Sequence, residues 1–171
     1  MNTHQSPSYS PACPPLNAII IYDNFSSGLR AKRAVELVAN EFGDGEAVSE
    51  AIWRTDLLDC PKVADSVALA AKNADFIVFS LQGDRVPAFG VLQCIETILE
   101  TSNGSLGLFM LFGSDPTKSR VAKAARSYFH CRCESKGIAF FSHGYSTLGS
   151  EKREQALEPA LDLMCLPVGC S

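Results

Sequence analysis

Residues 22–33 read YDNFSSGLRAKR. A carboxylate at Asp23, hydroxyls at Ser26 and Ser27 and a glycine at position 28 precede cations at Arg30, Lys32 and Arg33, just where an apolar run gives way to a helical pattern. The first turn of a helix carries unsatisfied N–H groups and a positive partial charge, so acids are its usual residents. Cations in their place point to an anion that joins them. Ser26 or Ser27 would cap the helix, Gly28 would let a ligand approach the backbone, and the remaining N–H groups would take a phosphate or carboxylate, with Arg30 adding charge. A plainer reading gives the serines to capping alone and pairs Lys32 with Glu36 one turn along.

Other chemistry-bearing types are more scattered. Ser80 closes the run DFIVFS, and His143 lies near the end of IAFFSHG. A serine and a histidine on one edge would be the start of a nucleophile–base pair, with Asp84 and Asp115 expected on the same edge to orient the imidazole. The strained G-x-S-x-G turn that exposes such a serine is missing from the sequence, and a turn and a helix cap account for the two aspartates equally well. HCRC at 130–133 offers His130, Cys131 and Cys133 to a soft metal. Residues two apart on a helix point to nearly opposite sides, so the two thiols do not share an ion.

These residues need elements to hold them. NAIIIYD (17–23) is a continuous β-branched run, the mark of a strand buried on both faces. Ala31, Ala34, Val35, Val38 and Phe42 recur at helical spacing over 27–42, and GDG at 43–45 ends that helix. A second, less apolar strand is expected over 47–54, and a helix opened by Pro61 over 61–74. The third strand follows at 75–80, then a helix over 88–101. The fourth strand is expected at 105–113, with Asp115 as cap and Pro116 as first residue of a helix reaching about 135 that turns Val121, Ala124, Ala125 and Tyr128 inward. A fifth strand at 138–144 and a weaker helix at 150–164 complete the pattern.

Five strands alternating with helices require a parallel sheet covered on both faces. The expectation is a single α/β domain over 17–165, a three-layer sandwich of the flavodoxin-like type with strand order 2-1-3-4-5, between a Pro- and Ser-rich tail at 1–16 and a short tail at 166–171. In that topology a ligand sits beyond the strand C-termini near the switch between strands 1 and 3. Asp23, Ser26, Ser27, Gly28 and Arg30 from the first loop, and Ser80, Gly83 and Asp84 from the third, are therefore the candidate binding residues, with Ser114 and His143 as neighbours.

Two families resemble this pattern. Receiver domains of response regulators resemble residues 17–144 in element order and share an acidic residue after strand 1, here Asp23. That resemblance implies an acceptor aspartate, an acidic pair for magnesium and a lysine after strand 5. IVFSLQ, IYDN and FFSHG supply Ser80, one acid followed by Asn24, and no lysine, so phosphorelay is not expected. Flavodoxins and FMN-dependent reductases resemble ADFIVFSLQGDRVPAFGVLQCIETIL (74–99), whose Gly83, Asp84 and Pro87 match a loop presented to the flavin ring. That resemblance implies FMN, with Tyr22 or Trp53 near the ring, although NFSSGLR lacks the threonine of the family's phosphate loop.

The formal charge of −4 over 171 residues argues against a protein that coats nucleic acid or an anionic membrane. The N-terminal stretch has neither a basic nor an apolar leader region, and no later stretch approaches a membrane span, which points to the cytoplasm. Seven cysteines, an odd number, read as reduced thiols. Lys118, Arg120, Lys123, Arg126, Arg132 and Lys136 stand against Glu134 on one helix, a basic face suited to an acidic protein partner, and the edge made by strand 5 and the C-terminal helix would suit a homodimer. The leading expectation is a receiver-like or flavodoxin-like regulatory protein that interacts with partners, holds a small anion and uses no cofactor; an FMN electron carrier or reductase is the alternative.

Overall fold

Ala18, Ile19, Ile20 and Ile21 are all buried because the strand that carries them lies inside a sheet with helices on both faces. The structure, a computed structural model, describes residues 15–42, 48–83, 85–102, 106–113 and 118–144. In chain order the elements are β1 (Asn17–Tyr22), α1 (Phe25–Phe42), β2 (Ser49–Arg54), a 3-10 turn (Thr55–Leu57), α2 (Pro61–Ala71), β3 (Phe76–Leu81), α3 (Phe89–Thr101), β4 (Gly107–Phe112), α4 (Arg120–Lys136) and β5 (Ala139–Gly144). All strand pairs are parallel, in the expected order β2-β1-β3-β4-β5.

Strand alternation divides the core in two. Ala18, Ile20, Phe76, Val78, Phe109 and Leu111 meet Ala31, Ala34, Val35 and Val38 of α1. Ile19, Ile21, Ile77, Phe79, Met110 and Phe112 meet α2, α3 and α4 on the other face. Register aligns Arg54, Tyr22, Ser80, Leu111 and His143 in one row across the sheet, near its C-terminal edge.

Several boundaries differ from expectation. Leu16 packs on the α1-side core and its carbonyl accepts from the Ser49 N–H at 2.8 Å, so the domain begins inside the expected 1–16 tail. The fourth helix starts at Arg120 with Ser119 as its cap, the Oγ accepting from the Ala122 N–H at 3.2 Å, rather than at Pro116. Its buried residues are Ala122, Phe129 and Cys133, while Tyr128 and Ala124 are exposed. Four small or apolar residues at 121, 122, 124 and 125 allow two helical phases, and Phe129 decides between them. Asp84, Ser114, Asp115, Pro116, the GDG at 43–45, the 150–164 helix and the tails at 1–14 and 166–171 lie outside the described residues. Among the described residues no helix is long and apolar enough to cross a membrane.

Candidate functional site

Only Asp23 and Asn24 separate β1 from α1. A connection that short must satisfy its own backbone, and it does so with a reciprocal cap. Asn24 Oδ1 accepts from the Ser27 N–H at 3.0 Å, while Ser27 Oγ accepts from the N–H groups of Asn24 at 2.9 Å and Asp23 at 3.2 Å and donates to the Asn24 carbonyl at 2.7 Å. This is the capping-box arrangement with serine in the third helical position. The cap is therefore Asn24, not Ser26 or Ser27. Ser27 is completely buried and Ser26 is exposed.

The other residues of this turn are also spoken for. A Cβ on Gly28 would lie 3.1 Å from Cδ2 of Tyr22, so the close approach that glycine permits is taken by the tyrosine ring instead of a ligand. Arg30 Nη2 donates to the Leu81 carbonyl at 3.1 Å and ties α1 to the end of β3. Lys32 pairs with Glu50 of β2 at 3.4 Å, not with Glu36. Asp23 Oδ2 accepts from the Gln82 N–H at 2.7 Å, which joins the ends of β1 and β3, and its Oδ1 is buried without a hydrogen-bond partner.

Ser80 is fully buried on the α1 side of β3, and its Oγ has no partner. It shares a row with His143, but Leu111 stands between them. Two strand spacings put the backbones roughly 10 Å apart. The structure does not bring them together as a nucleophile and base. Gly83 is buried at φ +83, a backbone conformation that favours glycine, and its carbonyl accepts from Ser119 Oγ at 2.8 Å. That bond anchors the β3–α3 loop to the start of α4. Sequence reasoning missed Asn24, Gln82 and Ser119; the Asn-x-x-Ser spacing was the one available signal.

Burial pushes the His143 imidazole below its ordinary pKa, so the folded state favours the neutral ring. As pH falls the unfolded chain takes the proton first; the stability is fully present above about pH 6.5 and is lost as pH drops through the folded-state value. Replacing His143 with Gln is expected to flatten the urea midpoint between about pH 7 and pH 5. An unchanged slope in that interval would show that the ring does not contribute.

Between these parts lies a cleft of about 520 Å³. Asp23 and Asn24 line one side, Thr55, Asp56 and Asp59 close it beyond β2, and Gln82, Arg85 and Val86 form the opposite wall. Arg54 Nε donates to Asp56 at 2.6 Å and holds that carboxyl below its usual range. Trp53 and Tyr22 are partly buried, each packed against one of the two cores, and neither lines the cleft. Among the described residues no group of three potential metal ligands occurs. Cys131 is exposed and Cys133 buried, on different sides of α4, and burial pushes the Cys133 thiol up to about 11.

A cleft where the strand order reverses, outside the C-terminal ends of a parallel 2-1-3-4-5 sheet, is the ligand position of doubly wound proteins. No protein-family model and no curated protein matches the sequence. Solved structures do match in shape. Diflavin flavoprotein A3 from Nostoc sp. aligns with a TM-score of 0.58 at 12% identity, over 87% of this chain and 90% of that one. The flavodoxin-like domain of a Synechococcus sp. protein gives 0.55 at 15% identity, over 86% and 95%. The fold is flavodoxin-like. An NAD(P)H:quinone oxidoreductase from Methanothermobacter marburgensis shares this flavodoxin-like shape at 0.54 and 10% identity, over 90% and 100%. None of these three is a receiver domain, and the resemblance to receivers finds no support among them.

Proposed function

We propose that the chain binds a flavin-class ring in the cleft at the β1–β3 switch point and serves as an electron carrier or reductase. The observation that carries this reading is the cleft itself, because its position is set by topology and its size falls within the usual range for small-ligand sites. The names of the structural neighbours, a diflavin flavoprotein and a quinone oxidoreductase, support the same class, although a shared fold does not by itself carry a shared activity.

The cleft fits the ring end of a flavin. Asp23 lines the cleft with its carboxylate anchored by the Gln82 N–H, an acceptor of the kind that a ring imide N–H requires. Val86, 73% exposed, leaves apolar surface on the cleft wall for a ring to cover. In the β1–α1 turn the N–H groups of Asp23, Asn24, Ser27 and Gly28 are engaged within the protein, which leaves those of Phe25 and Ser26 at the helix start to meet a ligand. A bound flavin would supply one- or two-electron transfer; the chain's part is to orient the ring through Asp23 and the β3–α3 loop.

Titration of the purified protein with riboflavin and FMN, followed by flavin fluorescence, tests the reading. Saturable quenching near one flavin per chain is expected, with Kd in the low micromolar range or tighter, roughly −7 to −8 kcal/mol. Absence of quenching at about 100 μM would remove it. A second reading, docking to an acidic protein, rests on the exposed cations Arg120, Lys123 and Lys136 of α4. Two cations of that helix are engaged elsewhere, Arg126 with Ser142 and Arg132 with Glu96.

A further inference from the structure

We infer that the outer edge of β5 takes an extended acidic segment of a partner protein as a further strand of the sheet. This rests on the acidic-partner reading above, narrows it to one mode of contact and is independent of the flavin reading.

The two edges of the sheet differ. β2 forms one and carries Glu50 and Arg54, charges of the kind that keep an edge from pairing. β5 forms the other, and its residues, AFFSHG, include no Asp, Glu, Lys, Arg or Pro. None of them is buried. Among the described residues no strand pairs with the outer side of β5, so the backbone N–H and C=O groups on that side have the directions that an added strand requires.

The flanks set the chemistry of that strand. Alternation turns Phe140 and Ser142 toward α4 and Phe141 toward the α1 side. On the α4 side, Arg126 Nε donates to Ser142 Oγ at 2.7 Å, which holds its guanidinium at the edge, and the His130 ring meets Phe140 edge to face at 5.6 Å. Lys123 lies on the same line of the helix, one turn before Arg126. All three are exposed. On the other side α1 packs against β1, β3 and β4, and half-buried Phe141, stacked on Phe109 with centroids 4.9 Å apart, lies at the margin of that core. An added strand would place every second side chain beside Arg126 and Lys123 and the intervening ones beside Phe141. Acidic and apolar residues in alternation satisfy both flanks. A second copy of β5 brings no acid, and a two-fold axis normal to the sheet would set two cationic α4 flanks side by side.

The test is fluorescence anisotropy on the full chain with a labelled peptide of about eight residues, Asp and Val in alternation. Binding with Kd of about 10–100 μM is expected, and a peptide with Lys for Asp is expected to bind at least about tenfold weaker. Two further peptides are N-methylated at every Asp or at every Val. At least one of them is expected to lose about tenfold or more, because an added strand turns one alternate set of N–H groups to the sheet. Lys123→Glu is expected to weaken the parent peptide about threefold to tenfold. Full binding by both methylated peptides would overturn strand addition and leave the acidic-partner reading standing. Undiminished binding to Lys123→Glu would place the peptide away from this flank and overturn the inference as well. No anisotropy change at about 1 mM, or equal binding of the lysine peptide, would overturn both readings. A dimer whose β5 amides resist hydrogen exchange without peptide would give the edge to a second copy and overturn the inference.

Discussion

Phe129→Ala is expected to lower stability by about 3–5 kcal/mol, the largest single loss among the substitutions considered. Phe129 is the one large side chain that α4 buries; its other buried residues, Ala122 and Cys133, are small. The ring stacks on Phe79 of β3 with centroids 6.3 Å apart and planes 9° from parallel, so it joins the helix directly to a central strand. Truncation would leave a void under α4 that Ala122 and Cys133 cannot fill, and cavities in close-packed interiors relax only in part. The contact that would remain on the α3 side is at the surface, where Arg132 and Tyr128 both hydrogen-bond Glu96. Exposed pairs of that kind contribute little. Urea unfolding would show a lower midpoint at constant m for Phe129→Ala, and a much smaller change for Arg132→Ala. A loss below about 1 kcal/mol for Phe129→Ala would mean that α4 is held by something other than this ring.

The flavodoxin-like architecture was legible because β1, β3 and β4 are continuous apolar runs. Only a parallel strand covered on both faces needs such runs, and helical periodicity between them dictates crossovers. The site was legible in outline, since topology alone points to the ends of β1 and β3. Its detail was not. Ser26, Ser27 and Asn24 are all good capping types, and propensity does not rank them; the choice of Asn24 follows from the Asn24–Ser27 reciprocity, which depends on where β1 stops. Ser80 and His143 each end a strand, yet whether they touch depends on strand order and register, and Leu111 lies between them. Gln82 contributes through its backbone N–H, which every non-proline residue has. Cations after the first turn of α1 suggested an anion, but Arg30 and Lys32 find their partners on β3 and β2, contacts that sequence spacing along the helix does not contain.

Ser27→Ala is expected to cost about 2–3 kcal/mol, whereas Ser26→Ala, one residue away, should change stability by less than about 0.5 kcal/mol. The two serines are chemically alike, so the difference isolates environment. Removing Ser27 Oγ takes the acceptor from the N–H groups of half-buried Asp23 and exposed Asn24, and an unsatisfied group costs about 1–3 kcal/mol to the extent that burial keeps water from it. Partial relaxation toward solvent would return some of that, which sets the expected value below the sum. Ser26 is exposed on the first turn and can lose its hydroxyl to water without consequence. An anion-binding turn would behave in the opposite manner: the exposed serine would matter for ligand, and Ser27→Ala would free backbone donors and strengthen phosphate binding. Thermal or urea unfolding of both variants, with and without added phosphate, separates these cases. Equal and small losses for the two would show that the reciprocal cap does not hold the turn.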